Sequence, residues 1–212
     1  MRSEKAVCHG QSPRRVPGLT CRPTPSRTSS RPPRQRAEGE RDRGPVHHDD
    51  LGARVGGGLG ISYDGSHVPS ATDYAASTLS ILGHSGLSLV LEPGRFIVGP
   101  AGALLARVVD LKDGPDGHHF GMLDAGMSEL IRPALYGSFH RIEAVTPRAG
   151  RELCYDIFGP ICESSDAFGE ARKFPALEVG DLLAILDTGA YGSAMASNYN
   201  RHSLPAEVMI DA

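Results

Sequence analysis

The sequence predicts an α+β protein in which a small strand-helix-strand unit leads into a larger, mainly antiparallel β domain. Three observations carry this. The texture changes near residue 51, from a polar, Arg- and Pro-rich stretch to regular apolar runs. Between 51 and 95 a glycine loop, an amphipathic segment and a short, wholly apolar run follow one another. Beyond 95, brief apolar runs alternate with turn sequences such as 113-DGPDG-117 and 146-TPRAG-150. The divisions are therefore 1–50, an extension; 51–95, the α/β unit; and 96–212, the β domain. No internal repeat is evident.

The run 55-VGGGLGI-61 is a strand end opening into a glycine loop, and 62-SYDGSHVP-69 is irregular connection. A helix is predicted over 70–86. Ser70 is placed to cap it with Asp73 three residues on, Tyr74, Thr78, Leu79 and Leu82 share a face, and Gly83 can end it. The next run, 87-LSLVLEPGR-95, is short and apolar at nearly every position, the pattern of a strand buried on both faces of a parallel sheet. Strands are then predicted within 96–113, 118–126, 152–159 and 181–189.

Residues 1–50 hold 11 of the 22 Lys and Arg but 6 of the 25 Asp and Glu, a balance of +5, which leaves −8 for the remainder. With almost no apolar side chains to offset chain entropy, this extension is predicted to be disordered. It contains acidic residues, lacks amphipathic spacing and has no aromatic side chain for a base to stack on. Those features speak against a targeting peptide or a nucleic-acid-binding arm, and the reading is an inert extension. No apolar run approaches the roughly 18–20 residues of a membrane span, so a soluble, cytoplasmic protein is expected. Cys8, Cys21, Cys154 and Cys162 form no CxxC pair, and His47-His48-Asp49-Asp50 is too local to preorganise a metal, so no metal is expected.

Five stretches could carry chemistry. Gly57 and Gly58, within the triple glycine, can turn backbone amides towards an anion, or simply make a tight turn. In 92-EPGR-95, Pro93 fixes the backbone, Gly94 permits close approach of a ligand, and Glu92 and Arg95 bring opposite charges together, as a site or as a salt-bridged turn. In 124-DAGMSELIRPALYGS-138 a helical turn would align Arg132 with Tyr136, a pair able to recognise a carboxylate; the alternative is a surface pairing of Arg132 with Glu129. In 189-GAYGSAMASNYN-200, Tyr191 among small residues presents its hydroxyl to a close neighbour, or is a core tyrosine. In 159-GPICESSD-166, Cys162 beside Glu163 is either a core thiol or a working acid.

Taken together, VGGGLGISYDG, LEPGRFIVGPAG, LDAGMSELIRPALYGSFH, GPICESSD and DTGAYGSAMASNYN, the last followed by PAEV, occur in the order and similar spacing of diaminopimelate decarboxylases. The sequence from about residue 51 onward resembles the C-terminal part of these members of the fold-type III pyridoxal-phosphate (PLP) decarboxylases. The resemblance implies that 51–95 is a remnant of a PLP-binding (β/α)8 barrel and that 96–212 is a Greek-key barrel or sandwich-like domain. It implies a homodimer with a shared active site and a small amino-acid substrate, meso-diaminopimelate, which is converted to lysine and CO2.

By motif, the resemblance gives the PLP phosphate to Gly57, Gly58, Gly94 and Tyr191, with Arg95 beside them, and the pyridine nitrogen to Glu92. Arg95, Arg132, Tyr136 and Tyr191 would orient the substrate, Glu163 would hold its distal ammonium, and Cys162 would return a proton to the α-carbon. Cys154 has no such counterpart. The family's Schiff-base lysine lies in a motif like YAxKAN; Lys5, Lys112 and Lys173 are the only lysines here, and none has that context. Arg54 stands where an acidic or apolar residue usually precedes the glycines. These departures lead to the expectation of a truncated chain with little or no turnover by itself, its first 50 residues an artefact of a shifted frame. The rival expectations are a related decarboxylase acting on carboxynorspermidine or arginine, and a non-catalytic subunit-pairing protein.

Overall fold

The structure is a computed structural model that describes residues 52–210; the extension 1–50 and its His47-His48-Asp49-Asp50 cluster lie outside them. The first strand, β1 (Gly52–Gly56), pairs in parallel with β2 (Ser88–Leu91), and the helix α1 (Ala71–Leu82) crosses between them. Parallel pairing puts both strand C-termini at one edge, so the glycine loop after β1 and Glu92-Pro93-Gly94 after β2 adjoin. The Glu92 amide donates to the Gly56 carbonyl at 2.8 Å.

Helix α1 begins with a capping box: the Asp73 amide donates to Ser70 Oγ at 3.1 Å and the Ser70 amide to Asp73 Oδ2 at 3.0 Å. Gly83 is its C-cap, its amide donating to the Leu79 carbonyl at 2.8 Å, and a Cβ there would stand 2.5 Å from that oxygen. Tyr74, Thr78 and Leu82 form its half-buried face, and no residue of α1 is fully buried.

Strand β2 is not enclosed as predicted, since Val90 and Leu91 are 42% and 40% exposed. A parallel strand is buried only where further strands flank it and helices cover both faces. This two-stranded sheet has neither.

Residues 96–101, predicted as strand, are helical instead: α2 (Gly94–Val98) runs into a 3-10 turn at Gly99–Ala101. Pro93 starts it, with the Ile97 amide donating to the Pro93 carbonyl at 3.1 Å. A short run such as Phe96-Ile97-Val98 has no periodicity to separate helix from strand.

The rest forms one six-stranded sheet in the order β5-β8-β3-β4-β6-β7. The long central strand β3 (Leu104–Asp113) pairs with β8 (Leu182–Ile185) along its first half and with β4 (His118–Leu123) along its second. Strand β5 (Ile142–Ala144) flanks β8, and β6 (Glu152–Phe158) and β7 (Ala167–Pro175) make a hairpin around loop 159–166. The sheet is mixed rather than purely antiparallel, because β4 and β6 run parallel. Their connection, 124–151, carries the helical turn α3 (Arg132–Tyr136) and β5, and is long enough for such a crossover.

Alternation supplies the core. Ala106 and Val108 of β3, Tyr155 and Ile157 of β6, and Leu183 and Ile185 of β8 point inward at period two, joined by Leu123, Leu130, Phe168 and Phe174. Tyr155 satisfies its hydroxyl by accepting from the Leu177 amide at 3.0 Å.

Candidate functional site

Arg132 opens α3, and its side chain is 5% exposed. One arm, Nη1, donates to the Tyr63 hydroxyl at 2.9 Å and lies 3.0 Å from His140 Nε2. The guanidinium carbon stands 4.8 Å from the centre of the Tyr63 ring and 5.9 Å from that of Tyr191. No carboxylate pairs with Arg132 among the described residues, Glu129 included. Glu129 is itself buried and accepts from the Gly126 amide at 2.7 Å and from Ser128 Oγ. The turn therefore forms as expected, but it does not join Arg132 to Tyr136, which points away and is 64% exposed.

A buried guanidinium without a counter-charge is costly unless an anion or aromatic faces balance it. Here two ring faces and the His140 imidazole surround it, and Nε and Nη2 donate to nothing among the described residues. That edge is the bidentate fork suited to a carboxylate or phosphate.

Tyr191 is brought there by close backbone packing. The Thr188 amide donates to the Gly102 carbonyl at 2.9 Å and the Gly189 amide to the Gly99 carbonyl at 3.1 Å. A side chain at Gly189 would strike the Val98 carbonyl. Tyr191 itself adopts φ 65°, a left-handed conformation unusual for a tyrosine, and is half exposed.

Gly57 and Gly58 sit on the edge shared with Glu92. Their amides donate to nothing among the described residues, and a Cβ at Gly58 or Gly94 would meet open space. The Gly57 carbonyl is held by the Tyr74 hydroxyl at 2.7 Å. The Gly94 amide is already engaged, donating to the Glu92 carbonyl at 2.8 Å. Glu92 pairs through Oε1 with Arg54 at 3.3 Å, both side chains being exposed. Arg95 lies half-buried within α2 beside Gly99 and makes no ion pair among the described residues.

Cys162 and Glu163 lie on loop 159–166, both exposed. The loop is tied down by Asp166, whose buried carboxylate accepts from the Met127 amide at 2.6 Å and the Ile161 amide at 2.7 Å. Burial pushes the Asp166 carboxyl up, while those two amides pull it down. Gly126 and Gly159 press on it so closely that a Cβ at either would collide with the carboxylate. Glu163 accepts from the Tyr199 hydroxyl at 2.5 Å, and that carboxylate pushes the Tyr199 phenol above its ordinary range. Among the described residues no hydrogen bond or ion pair joins this loop to the set around Arg132.

The family model for the C-terminal sheet domain of pyridoxal-dependent decarboxylases matches residues 16–189. The chain belongs to the pyridoxal-dependent decarboxylases. It is 49% identical over 166 residues to diaminopimelate decarboxylase of Neisseria meningitidis serogroup A, covering 78% of this chain and 39% of that protein. It is also similar to the crystal structure of diaminopimelate decarboxylase from Helicobacter pylori complexed with L-lysine, with TM-score 0.67 and 41% identity over 73% of this chain and 38% of that one. A third relative, the enzyme from M. jannaschii in co-complex with L-lysine, gives TM-score 0.69 at 40% identity over 73% and 37%. The chain thus spans under two-fifths of the length of these relatives.

Within this decarboxylase domain, four residues had no role in the sequence reading: Tyr63, His140, Asp166 and Tyr199. Each stands inside a stretch already singled out, but its function is tertiary. The partners of Tyr63 and Asp166 lie 69 and 39 residues away in the chain.

Proposed function

We propose that this chain supplies the substrate-reading sheet domain, with the adjoining edge of a PLP-binding barrel, of a cytoplasmic diaminopimelate decarboxylase that converts meso-2,6-diaminopimelate to L-lysine and CO2. The observation that carries the proposal is the Arg132 fork, buried among Tyr63, His140 and Tyr191 and unmatched by any protein carboxylate among the described residues. Relatives with this name, two of them seen with L-lysine, support the substrate class.

The residues present fit part of the cofactor. The undonated amides of Gly57 and Gly58 and the Tyr191 hydroxyl would hold the phosphate, with Arg95 near. Gly94 would contribute space more than a donor, since its amide is engaged. Glu92 Oε2 remains for the pyridine nitrogen while Arg54 takes Oε1. The lysines among the described residues, Lys112 and Lys173, lie exposed on β3 and β7 and not on these loops, so the covalent anchor is not among them. When bound, PLP supplies an electron sink for the pair left behind by departing CO2.

The chain's own residues do the rest. Arg132 fixes the substrate carboxylate with Tyr191 at its margin, while Tyr136, exposed and not joined to Arg132, has no part in holding it. Cys162 gives its thiol proton to the α-carbon and, being exposed, is reprotonated from water. Glu163, held by Tyr199, receives the distal ammonium. In the homodimer that the family resemblance implies, each subunit would lend the exposed Cys162 loop to its partner's site.

Reconstitution tests the proposal. The chain, alone and mixed with the barrel part of the Neisseria relative, is given PLP and meso-diaminopimelate, and CO2 release is measured. Turnover is expected in the mixture alone, and Cys162→Ala should lower it at least 100-fold, within the roughly 10²–10⁴-fold range of general acid-base catalysis. Turnover indifferent to Cys162 would contradict the assigned acid.

A further inference from the structure

His140 has no exposed surface. Its Nδ1 lies 2.9 Å from the Leu186 carbonyl oxygen, and its Nε2 lies 3.0 Å from Arg132 Nη1. A carbonyl can only accept, so Nδ1 must carry a proton. A guanidinium can only donate, so Nε2 must offer its lone pair. One species satisfies both: the neutral imidazole with its proton on Nδ1.

The same Nη1 donates to the Tyr63 hydroxyl, and the Tyr63 ring packs edge-on against His140 with centroids 5.1 Å apart. Arg132 is therefore gripped by one arm while its Nε–Nη2 edge stays open. We propose that His140, as the neutral Nδ1–H tautomer, is a positioning residue that holds one arm of Arg132 so that the opposite edge is presented to an anionic ligand group. The last step rests on the reading of Arg132 as the carboxylate-binding group.

The surroundings favour that species. The charged groups facing His140 are Arg132 from α3, Arg172 from β7 and Asp187 just after β8. Asp187 is already chelated by Arg141, through Nε and Nη2 at 3.0 Å each. An imidazolium would face two guanidinium groups and a carboxylate already spoken for. Burial holds His140 below the ordinary imidazole range, and the two guanidinium groups add to this against the pull of the Leu186 carbonyl and Asp187.

Long-range ¹H–¹⁵N correlation spectra of the histidine rings in the intact chain test this directly. His140 should show a neutral Nδ1–H ring at pH 7 and should become charged only at a lower pH than an unperturbed histidine, whose pKa is about 6.5. An Nε2–H tautomer or an imidazolium at pH 7 would overturn the proposal. The Arg132 guanidinium supplies a second readout: its Nη protons should exchange faster in His140→Ala and recover in His140→Gln, whose amide oxygen can accept from Nη1. Unchanged exchange in His140→Ala would overturn it, and if that variant does not fold, the tautomer and His140→Gln carry the test.

Titration with L-lysine separates the two readings. His140→Ala should weaken binding about tenfold, the typical loss of one hydrogen bond to a charged group, with recovery in His140→Gln. No binding by the wild-type chain, alongside the expected tautomer and exchange, would overturn the function assigned to Arg132 and leave its grip by His140 supported.

Discussion

Asp166 shows how one buried carboxylate organises the loop that carries Cys162 and Glu163. It ties Cys162 and Glu163 to the 126–132 segment through the Met127 and Ile161 amides. Asp166→Ala would strand both donors, and at about 1–3 kcal/mol for each buried unsatisfied group the variant should lose about 2–6 kcal/mol in urea unfolding. Asp166→Asn keeps one acceptor oxygen and should lose about half as much. His140 sets a pH dependence. Its folded pKa is depressed below 6.5, so the unfolded chain binds the proton more readily. Its contribution is full above pH 6.5 and is lost as pH falls through that value towards the folded pKa. Between pH 7.5 and 5.5 the wild-type Tm should therefore fall more steeply than that of His140→Gln. These residues escaped the sequence reading because nothing in a one-dimensional pattern distinguishes the histidine of SFH or the last aspartate of GPICESSD from a surface polar group.

Elements were legible where local chemistry decides them. Ser70 and Asp73 marked the start of α1 and Gly83 its end, and Ser70→Ala should cost about 1 kcal/mol of stability through loss of the cap. Brief apolar runs set off by turn sequences revealed β4, β6 and β8. Strand β7 was missed because Ala171 takes φ 51° and shifts the register against β6, breaking the alternation between Phe168 and Phe174. Strand β5 is only three residues long and depends on β8 for its pairing. Segment 187–192 depends on backbone contact with α2, so Gly189→Ala should detach Tyr191 from Arg132 while leaving the six-stranded sheet intact. Near-ultraviolet circular dichroism should then report a changed tyrosine environment beneath an unchanged far-ultraviolet spectrum.

At the scale of the molecule, stability is unevenly distributed. The six-stranded sheet owns the buried core, whereas the β1-α1-β2 unit exposes Leu79, Ile81, Val90 and Leu91 and contributes little to it. Amide exchange should be slowest in β3, β4 and β6 and markedly faster throughout β1, α1 and β2, since local opening follows buried apolar contact. The site itself draws on both parts, Tyr63 from the loop after β1 and Arg132, His140 and Tyr191 from the sheet side, so its geometry reports how well they stay docked. The central claim is that the open edge of Arg132 reads an amino-acid carboxylate. NMR titration of the chain with L-lysine tests it most directly: shifts centred on Arg132, Tyr63 and Tyr191 that vanish in Arg132→Ala are expected, whereas absent shifts, or shifts that persist without Arg132, would contradict it.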